Sequence, residues 1–298
     1  MKTLDKQRYE EAITYMKEKA RPLERAIYEH SFEGGAAEAV VRELLTFQNP
    51  DGGFGHGLEP DLRTPHSSAL ATTNTLAILK NLPSHEEALK MAHQALGFLA
   101  DTYQADRVGW EIIPKEAEEA PRAVWWTYNG FDAYWGNPNA DIVAYFIAYQ
   151  TTFPYERLET VKRQALHYLL HESELTEMHE MLCYLNLNER LSEQEQLAIQ
   201  HKLLQFLDQC VMTGEQQGYG ARPLQVADSP NSRYAARYAA HLPDELNKLI
   251  DEQGEDGAWS PNWTWHQYEQ EWEQAREEWK GILTLQALRT LQAYHRLP

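Results

Sequence analysis

The chain has 298 residues, of which 43% are hydrophobic, and its formal net charge at pH 7 is −18. This length and apolar content allow one large hydrophobic core, and the negative charge disfavours nucleic acid and anionic membrane surfaces as partners. Only two cysteines are present, Cys183 and Cys210, and no apolar run approaches the ~18 residues that a membrane span requires. We expect a cytoplasmic protein that forms a single domain over residues 1–298, without a disulfide framework or a membrane span.

Helical patterns dominate the sequence, and no run alternates in the way of a half-buried strand. Capping boxes at 84–87 and 192–195, and Asn137 before Pro138, each predict the start of a helix. Together with the apolar spacing, these signals predict an all-α protein. Besides the helix that follows Pro138, the expected helices lie at about 6–29, 35–47, 67–81, 85–103, 156–171, 174–189, 193–211, 230–240, 243–252 and 279–295.

One turn motif occurs twice. The segment 48–54, Gln-Asn-Pro-Asp-Gly-Gly-Phe, returns at 253–259 as Gln-Gly-Glu-Asp-Gly-Ala-Trp, and each copy follows an apolar helical run. Glycine supplies the left-handed or strained backbone that ends a helix, Asp accepts hydrogen bonds from N–H groups of the turn, and the aromatic side chain fills the gap between neighbouring hairpins. The repeated motif therefore predicts a fold of stacked helical hairpins.

The motif has weaker relatives elsewhere in the chain. Gln104 followed by Gly109-Trp110 keeps the two ends of the pattern, and Gln217-Gly218-Tyr219 keeps less of it. Trp110 stands about one period of ~55 residues after Phe54, and Tyr219 stands about two such periods after Trp110, which is typical of repeat or closed-array architectures. A copy expected near residue 165 is missing, and a short polar turn at 171–173 connects two predicted helices there.

The pattern Gln-x-x-x-Gly-x-Phe/Trp after an apolar helix is similar to the repeat of squalene and oxidosqualene cyclases. Asp51-Gly52-Gly53-Phe54-Gly55 also resembles the Gly-rich loop of protein prenyltransferase β subunits. The resemblance implies an α/α toroid, in which inner and outer rings of helices surround a central cavity, with long loops at one end. It implies a small-molecule ligand in that cavity and names no cofactor.

The catalytic motifs of these families are not carried over. The Asp-x-Asp-Asp segment that protonates polyenes in the cyclases does not occur in this sequence. Prenyltransferases follow their loop with cations for a diphosphate and with a zinc-binding Asp and Cys. Here Glu59 stands where the diphosphate-binding cations would be needed, and no Cys follows Asp61. Because carboxylates repel a diphosphate, prenyl diphosphate transfer is disfavoured.

The first copy of the motif leads into a loop that carries carboxylates. Glu59 and Asp61 flank Pro60 in this stiff segment, between His56 and His66. Such carboxyls suit general acid–base work if burial raises the pKa of one of them, and we name Glu59, Asp61 and His56 as candidate catalytic residues and His66 as a substrate contact. In the alternative interpretation the two carboxylates cap neighbouring helices.

Two aromatic-rich segments, 104–138 and 254–279, are further candidates for the site. Aromatic planes interleaved with Asn and Asp suit stacking on sugar rings or shielding of a cation, although some of them must pack the loops. The candidate substrate-binding residues are Trp110, Trp125, Trp126, Tyr128, Trp135, Trp263 and Trp265. The acidic run 269–273 is expected to form a solvated helix face.

A metal site has weaker support. His167 and His171, and likewise His179 and Cys183, are spaced four residues apart on neighbouring predicted helices, but this is also the ordinary period of any helix face. We therefore assign no metal ligand. The sequence favours a cofactor-independent acid–base enzyme acting on an isoprenoid-like or saccharide substrate. The alternative is a non-catalytic toroid that binds a small ligand or a partner protein.

Overall fold

The computed structural model describes residues 2–82, 85–214 and 218–298, and this part of the chain is all-helical, with only isolated β-bridges. Two short 3₁₀ helices lie at Leu45–Phe47 and Lys115–Glu119. Ser84 and Gln217 of the predicted motifs lie outside the described residues. The α-helices are α1 (Lys6–Glu18), α2 (Pro22–Glu33), α3 (Ala37–Leu44), α4 (Ala69–Leu79), α5 (Glu86–Asp101), α6 (Gly136–Tyr149), α7 (Leu158–His171), α8 (Met178–Asn188), α9 (Glu193–Cys210), α10 (Pro223–Val226), α11 (Leu242–Asp251) and α12 (Glu269–Ala293).

Most predicted helices form, and three differ. The helix expected over 6–29 is broken into α1 and α2, because Pro22 lacks an N–H group and starts a new helix instead of continuing the first. Residues 230–240 form successive turns, with bonds such as Ser232 N–H to Ser229 O at 3.1 Å, instead of a helix. Helix α12 begins ten residues early at Glu269, where the acidic run meets the positive end of the helix dipole.

The chain forms two compact units. Unit 2 is the continuous stretch Leu44–Cys210, and unit 1 combines Met1–Glu43 with Val211–Pro298. In unit 2, α5 packs on α4, α7 on α6 and α9 on α8, while α6 packs on both α4 and α8. In unit 1, α11 packs on α10, α1 on α12, and α12 on α2. Helices α5, α7, α9 and α11 therefore each pack on the even-numbered helix that precedes them in the chain, and α1 packs on α12.

The first copy of the turn is held by its own side chains. The N–H of Asn49 donates to Gly53 O at 2.9 Å, and Asp51 Oδ1 accepts from the N–H of Gly53, also at 2.9 Å. Gly52 adopts a φ of +86°, and a Cβ there would lie 2.6 Å from Gln94 O of α5. The N–H of the buried Phe54 donates to Thr72 Oγ1 of α4 at 3.2 Å. The predicted roles of the glycine, the aspartate and the aromatic residue are confirmed in this copy.

The second copy repeats the same bonds. The N–H of Gly254 donates to Ala258 O at 2.8 Å, and Asp256 Oδ1 accepts from the N–H of Ala258 at 3.3 Å. Gly257 has a φ of +85°, and a Cβ there would lie 2.5 Å from the backbone of Glu11 in α1. The N–H of Trp259 donates to Thr284 Oγ1 of α12 at 3.1 Å. Helix α1 therefore packs against the glycine of the second turn, just as α5 packs against the glycine of the first turn.

The weaker copies divide into one that keeps this geometry and one that loses it. Gln104 and Gly109 exchange backbone hydrogen bonds at 2.9 and 3.2 Å, and the N–H of Trp110 donates to Asn139 Oδ1 of α6 at 2.7 Å. Tyr219, by contrast, is 65% exposed and does not fill a gap between hairpins. Three aromatic residues, Phe54, Trp110 and Trp259, thus dock in the same way on the helix that follows each of them.

Across the described residues, no helix is both long and apolar enough to cross a membrane. Cys183 and Cys210 are buried free thiols. The predicted capping box at α9 is confirmed, since Ser192 N–H donates to Glu195 Oε2 at 2.9 Å and Glu195 N–H donates to Ser192 Oγ at 3.4 Å.

Candidate functional site

The carboxylate loop, defined as residues 56–66, is closed at its base by backbone contacts. The N–H of His56 donates to Thr64 O at 2.8 Å. A Cβ on Gly55 would lie 2.3 Å from His66 O, so this close approach requires glycine. Gly57, with a φ of +73°, leaves room for the guanidinium group of Arg63, which would lie 2.9 Å from a Cβ at that position. The guanidinium group of Arg63 therefore lies against the backbone of Gly57 within this loop.

Both predicted carboxylates are buried in this loop. Glu59 is 8% exposed and Asp61 is 4% exposed. The side-chain amide of Asn74, in the second turn of α4, donates to Glu59 Oε2 at 3.0 Å. The Asn74 amide therefore contributes to the orientation of the Glu59 carboxylate.

A second segment of unit 2 pairs with the carboxylate loop along its backbone. The N–H of Arg63 donates to Pro121 O at 3.0 Å, and the N–H of Ala123 donates to Asp61 O at 2.9 Å. Leu62 and Arg122 form an isolated antiparallel bridge between these bonds. The pairing restrains the backbone on both sides of Leu62, directly after Asp61, and it brings the aromatic segment that includes Trp125 and Trp126 next to the loop.

The two histidines of the loop lie at its exposed side. The ring of His56 lies 2.9 Å from Asn49 Oδ1, measured from Nε2, and its φ of +54° is in the left-handed region. His66 is also exposed, and its N–H donates to Thr64 Oγ1 at 3.3 Å. His56 therefore connects the loop to the preceding turn.

The predicted aromatic residues of unit 2 divide into core and partly exposed groups. Trp110 is 2% exposed, stacks on Phe146 with centroids 5.9 Å apart and donates its indole N–H to Leu99 O, so it is a packing residue. Trp126 is also buried and lies 5.2 Å from Phe131. Its indole Nε1 is buried without a hydrogen-bond partner. Trp125 is half-buried.

Tyr128 and Trp135 are half-buried and belong to a polar network around Arg107. Tyr128 OH donates to Glu111 Oε1 at 2.7 Å, and Glu111 lies 3.7 Å from the guanidinium group of Arg107. Arg107 also pairs with Asp132 at 2.7 Å, and its carbonyl accepts the indole N–H of Trp135 at 3.1 Å. The network fixes these two aromatic rings beside charged groups, as a binding surface for a polar ligand requires.

Trp263 and Trp265 lie in unit 1. The Trp265 side chain is fully buried and its ring lies 5.7 Å from that of Trp272. Trp263 is half-buried, with its ring 5.2 Å from that of Trp279 in an edge-to-face arrangement. Trp265 is therefore a core residue of its unit, and Trp263 keeps a partly accessible ring.

Sequence analysis missed a set of polar residues on the even-numbered helices. Asp141 of α6 is partly exposed, and its Oδ1 accepts from the side-chain amide of Asn186 in α8 at 2.9 Å. Burial raises the pKa of Asp141 to about 6, against the opposing effects of Asn186, Lys80 and Cys183. The available signal was a single Asp or Asn within an otherwise apolar helix, as in the Asn-Ala-Asp-Ile-Val-Ala run of α6.

Glu180 is a second buried acid in α8, and its contacts are structural. Its Oε1 accepts from the N–H of Gly136 at 2.9 Å, and its Oε2 accepts from Ser173 Oγ at 2.9 Å. Burial raises the pKa of this carboxyl to about 7. Because both oxygens bind the start of α6 and the turn before α8, Glu180 fastens these two segments together.

The His and Cys pairs of the metal hypothesis do not converge. The rings of His167 and His171 contact each other at 4.8 Å, and His179 Nδ1 lies 2.8 Å from Glu177 Oε1. Cys183 Sγ lies 3.9 Å from Asn137 Oδ1. Over residues 2–82, 85–214 and 218–298, no three His, Cys, Asp or Glu side chains are grouped as a metal site requires.

A surface groove of about 520 Å³ runs along one face of α5. It is open to solvent and is lined by Glu86, Leu89, Lys90, His93 and Gln94. None of these residues belongs to the carboxylate loop, and Gln94 contacts the first turn through Gln48 at 3.3 Å.

Comparison with known proteins gives no neighbour from which a role could be transferred: no protein-family model, no curated protein and no solved structure matches this chain.

Proposed function

We propose that the even-numbered helices form the inner ring of an α/α toroid and the odd-numbered helices its outer ring, as the resemblance to terpenoid cyclases and prenyltransferases implies. The support is the packing order within each unit. Helices α5, α7, α9 and α11 each pack on the preceding even-numbered helix, and α1 packs on α12. A cyclic order of this kind is what a closed ring of helical hairpins requires.

Within this scaffold we propose a cofactor-independent enzyme that uses Glu59 as its general base and acts on a saccharide. The observation that carries the proposal is the hydrogen bond at 3.0 Å from the Asn74 amide to the buried Glu59 carboxylate. A buried carboxylate that accepts a hydrogen bond from an amide on a rigid helix is oriented for proton transfer.

Polar side chains favour a saccharide over an isoprenoid as the substrate. Asn74, Asp141 and Asn186 are partly accessible amide and carboxyl groups on three successive even-numbered helices. Side chains of this type bind hydroxyl groups, whereas an isoprenoid site would be lined by apolar groups. The Tyr128 and Trp135 rings beside Arg107 add aromatic faces that suit a sugar ring.

A ligand and turnover screen tests this proposal. The probes are a panel of disaccharides and p-nitrophenyl glycosides, with squalene and farnesyl diphosphate as isoprenoid probes. We expect at least one saccharide to raise the unfolding temperature of the wild type and to be hydrolysed. Glu59→Gln keeps the acceptor for Asn74, so it should still bind that saccharide but lose about 100-fold or more in turnover. Glu87→Gln, at an exposed position of α5, is the matched control.

The second candidate is a non-catalytic toroid that binds a small ligand. It is favoured by the burial of Trp110, Trp126 and Trp265, which serve packing instead of presenting rings to a pocket. Stabilisation of the wild type by a saccharide without any turnover, unchanged in Glu59→Gln, would select this candidate. Stabilisation by squalene alone would overturn the saccharide assignment.

A further inference from the structure

A narrow cleft in unit 2 is lined by residues from the segment 107–139. Its space is about 10 Å³, which is room for one water-sized group. Phe131, Tyr134 and Trp135 belong to its lining, and all three are half-buried. The cleft therefore admits a single small group, while the accessible parts of these aromatic residues are left to contact the molecule that carries the group.

Two asparagines line the cleft, and their amides are used differently. Asn139 Oδ1 accepts the N–H of Trp110 at 2.7 Å, and its amide nitrogen donates to Trp135 O. Asn137 is only 9% exposed, and its Oδ1 lies 3.9 Å from Cys183 Sγ. Among the residues that the structure describes, the amide nitrogen of Asn137 has no hydrogen-bond partner. A donor that is buried to this extent calls for an acceptor oxygen within the cleft.

The charges at the cleft select a neutral partner for this amide. The guanidinium group of Arg107 pairs with Asp132 Oδ1 at 2.7 Å and lies 3.7 Å from Glu111 Oε1, so one cation meets two carboxylates. The excess of negative charge disfavours a carboxylate or a phosphate as the entering group. A hydroxyl group is neutral, accepts a hydrogen bond from the Asn137 amide and keeps a proton to donate. The cleft is therefore suited to one hydroxyl group of a larger neutral molecule.

We propose that this cleft binds the hydroxymethyl group of a pyranose sugar and that Asn137 donates a hydrogen bond to its oxygen. The inference rests on the proposed function for the class of substrate and makes that class narrower. The primary hydroxyl is the one hydroxyl of a pyranose that projects from the ring on a carbon arm, so it enters a cleft that is too small for the ring. The ring stays outside and packs its C–H face on the half-buried aromatic residues.

Sugars that differ only in this group test the assignment. A xyloside has the ring and the ring hydroxyls of a glucoside but lacks the hydroxymethyl group, and an L-arabinopyranoside is related to a galactoside in the same way. The probes are the p-nitrophenyl thioglycosides of both pairs in matching anomeric configurations, because a sulfur linkage resists hydrolysis during calorimetric titration. The wild type should bind at least one hexoside about tenfold or more tightly than its pentoside, which leaves the Asn137 amide without an acceptor.

Asn137→Asp removes the donor at constant size. The aspartate keeps an oxygen for the Cys183 thiol but offers the hydroxyl a negatively charged acceptor in place of the amide N–H. The ratio of pentoside to hexoside Kd should fall to about threefold or less. Asn129→Asp, at an exposed position of the same segment, is the matched control and should keep the ratio of the wild type.

Tyr134→Leu examines the aromatic part of the cleft and leaves Asn137 in place. It removes a ring on which the sugar packs, so the hexoside and the pentoside should both bind about threefold to tenfold more weakly. The ratio of their Kd values should stay as in the wild type. This variant locates the sugar independently of any effect that Asn137→Asp has on folding.

The outcomes separate this inference from the proposed function. Equal affinity of the wild type for hexoside and pentoside would overturn the role of the cleft, and so would a ratio that Asn137→Asp leaves unchanged. Affinities that Tyr134→Leu does not alter would also overturn it. None of these results touches Glu59, whose role depends on turnover in Glu59→Gln. If the wild type binds none of the thioglycosides, the cleft is not a sugar site, and the wider saccharide panel decides the proposed function.

Discussion

The two copies of the turn share their backbone and differ in what surrounds them. In both, glycine takes a positive φ against a neighbouring helix, and the aromatic N–H docks on a threonine. Asp51 of the first copy bonds to the neutral Ser67 hydroxyl at 2.8 Å. Asp256 of the second copy bonds to the Lys280 ammonium, which is largely buried. One turn is thus closed by a neutral contact and the other by an ion pair.

This difference teaches that the motif builds the scaffold and that chemistry depends on the residues that follow it. After Phe54 the chain makes the carboxylate loop before it enters α4, and the loop carries the buried Glu59 and Asp61. After Trp259 it reaches α12 through a segment whose tryptophans pack on each other. The Asp of the motif is used by the turn in both copies, so it is not available as a catalytic group in either.

The largest expected effect comes from the glycines, where the two copies should respond alike. Gly52→Ala and Gly257→Ala each place a Cβ at a positive φ and within 2.6 Å of a backbone atom of a neighbouring helix. Backbone atoms cannot move aside as side chains do, so each variant should lose about 3 kcal/mol or more of unfolding free energy. Urea unfolding at fixed temperature measures the loss.

Gly97→Ala is the matched control for both glycine variants. Gly97 lies inside α5, and nothing lies within 4 Å of a Cβ at that position. Alanine there should raise the unfolding free energy by about 0.5–1 kcal/mol, because it reduces the freedom of the unfolded chain. If Gly52→Ala or Gly257→Ala were as stable as Gly97→Ala, the turns would not have the backbone described.

The second effect should separate the two copies. Lys280→Met leaves Asp256 without its ammonium partner and should cost about 2 kcal/mol, whereas Ser67→Ala removes only a hydroxyl from Asp51 and should cost less than about 1 kcal/mol. Thermal or urea unfolding of both variants at pH 7 measures the difference. Equal losses would contradict the distinction between an ion-paired turn and a neutral one.

The Lys280 effect should depend on pH. Burial acts to raise the pKa of Asp256, but the Lys280 ammonium and the N–H of Ala258 outweigh it and hold this pKa below its ordinary value. A carboxyl with a lowered pKa in the folded state stabilises the protein above its unfolded pKa, about 4, and loses this effect as the pH falls further. The difference between the wild type and Lys280→Met should therefore be constant from pH 5 to 8 and shrink below pH 4.

The smallest expected effect tests whether the aromatic docking is the same in both copies. Thr72→Val and Thr284→Val keep the side-chain shape and remove the oxygen that accepts the N–H of Phe54 or Trp259. Both threonines are fully buried, so each variant leaves a buried N–H unsatisfied and should lose about 1 kcal/mol. If only one of the two variants unfolded like the wild type, the aromatic docking contacts of the two turns would not be equivalent.

The sequence predicted the scaffold better than the site because turns and helix starts have local signals. The glycine of each turn and the capping box of Ser192 depend on residues within a few positions of one another. The break before Pro22 also has a local signal, because a proline between two helical runs marks the start of a new helix. These features need no knowledge of which helices become neighbours.

The polar contacts of unit 2 had no comparable signal. Asp141 and Asn186 come together only because α6 and α8 pack side by side. No fixed spacing in the sequence marks this pair. Glu59 could be singled out from its stiff loop, but its partner Asn74 depends on how the loop folds back on α4.

The contact between Gly257 and α1 has a consequence for the order of synthesis. Unit 2 is one continuous stretch, so all its helices are available once residue 210 has left the ribosome. Helix α1 is made first, yet the turn that packs on it lies about 245 residues later, the separation of the bonded pair Arg8 and Gln253. Helix α1 can therefore pack against the turn at 253–259 only after that late segment has been made, and unit 2 can fold before this contact forms.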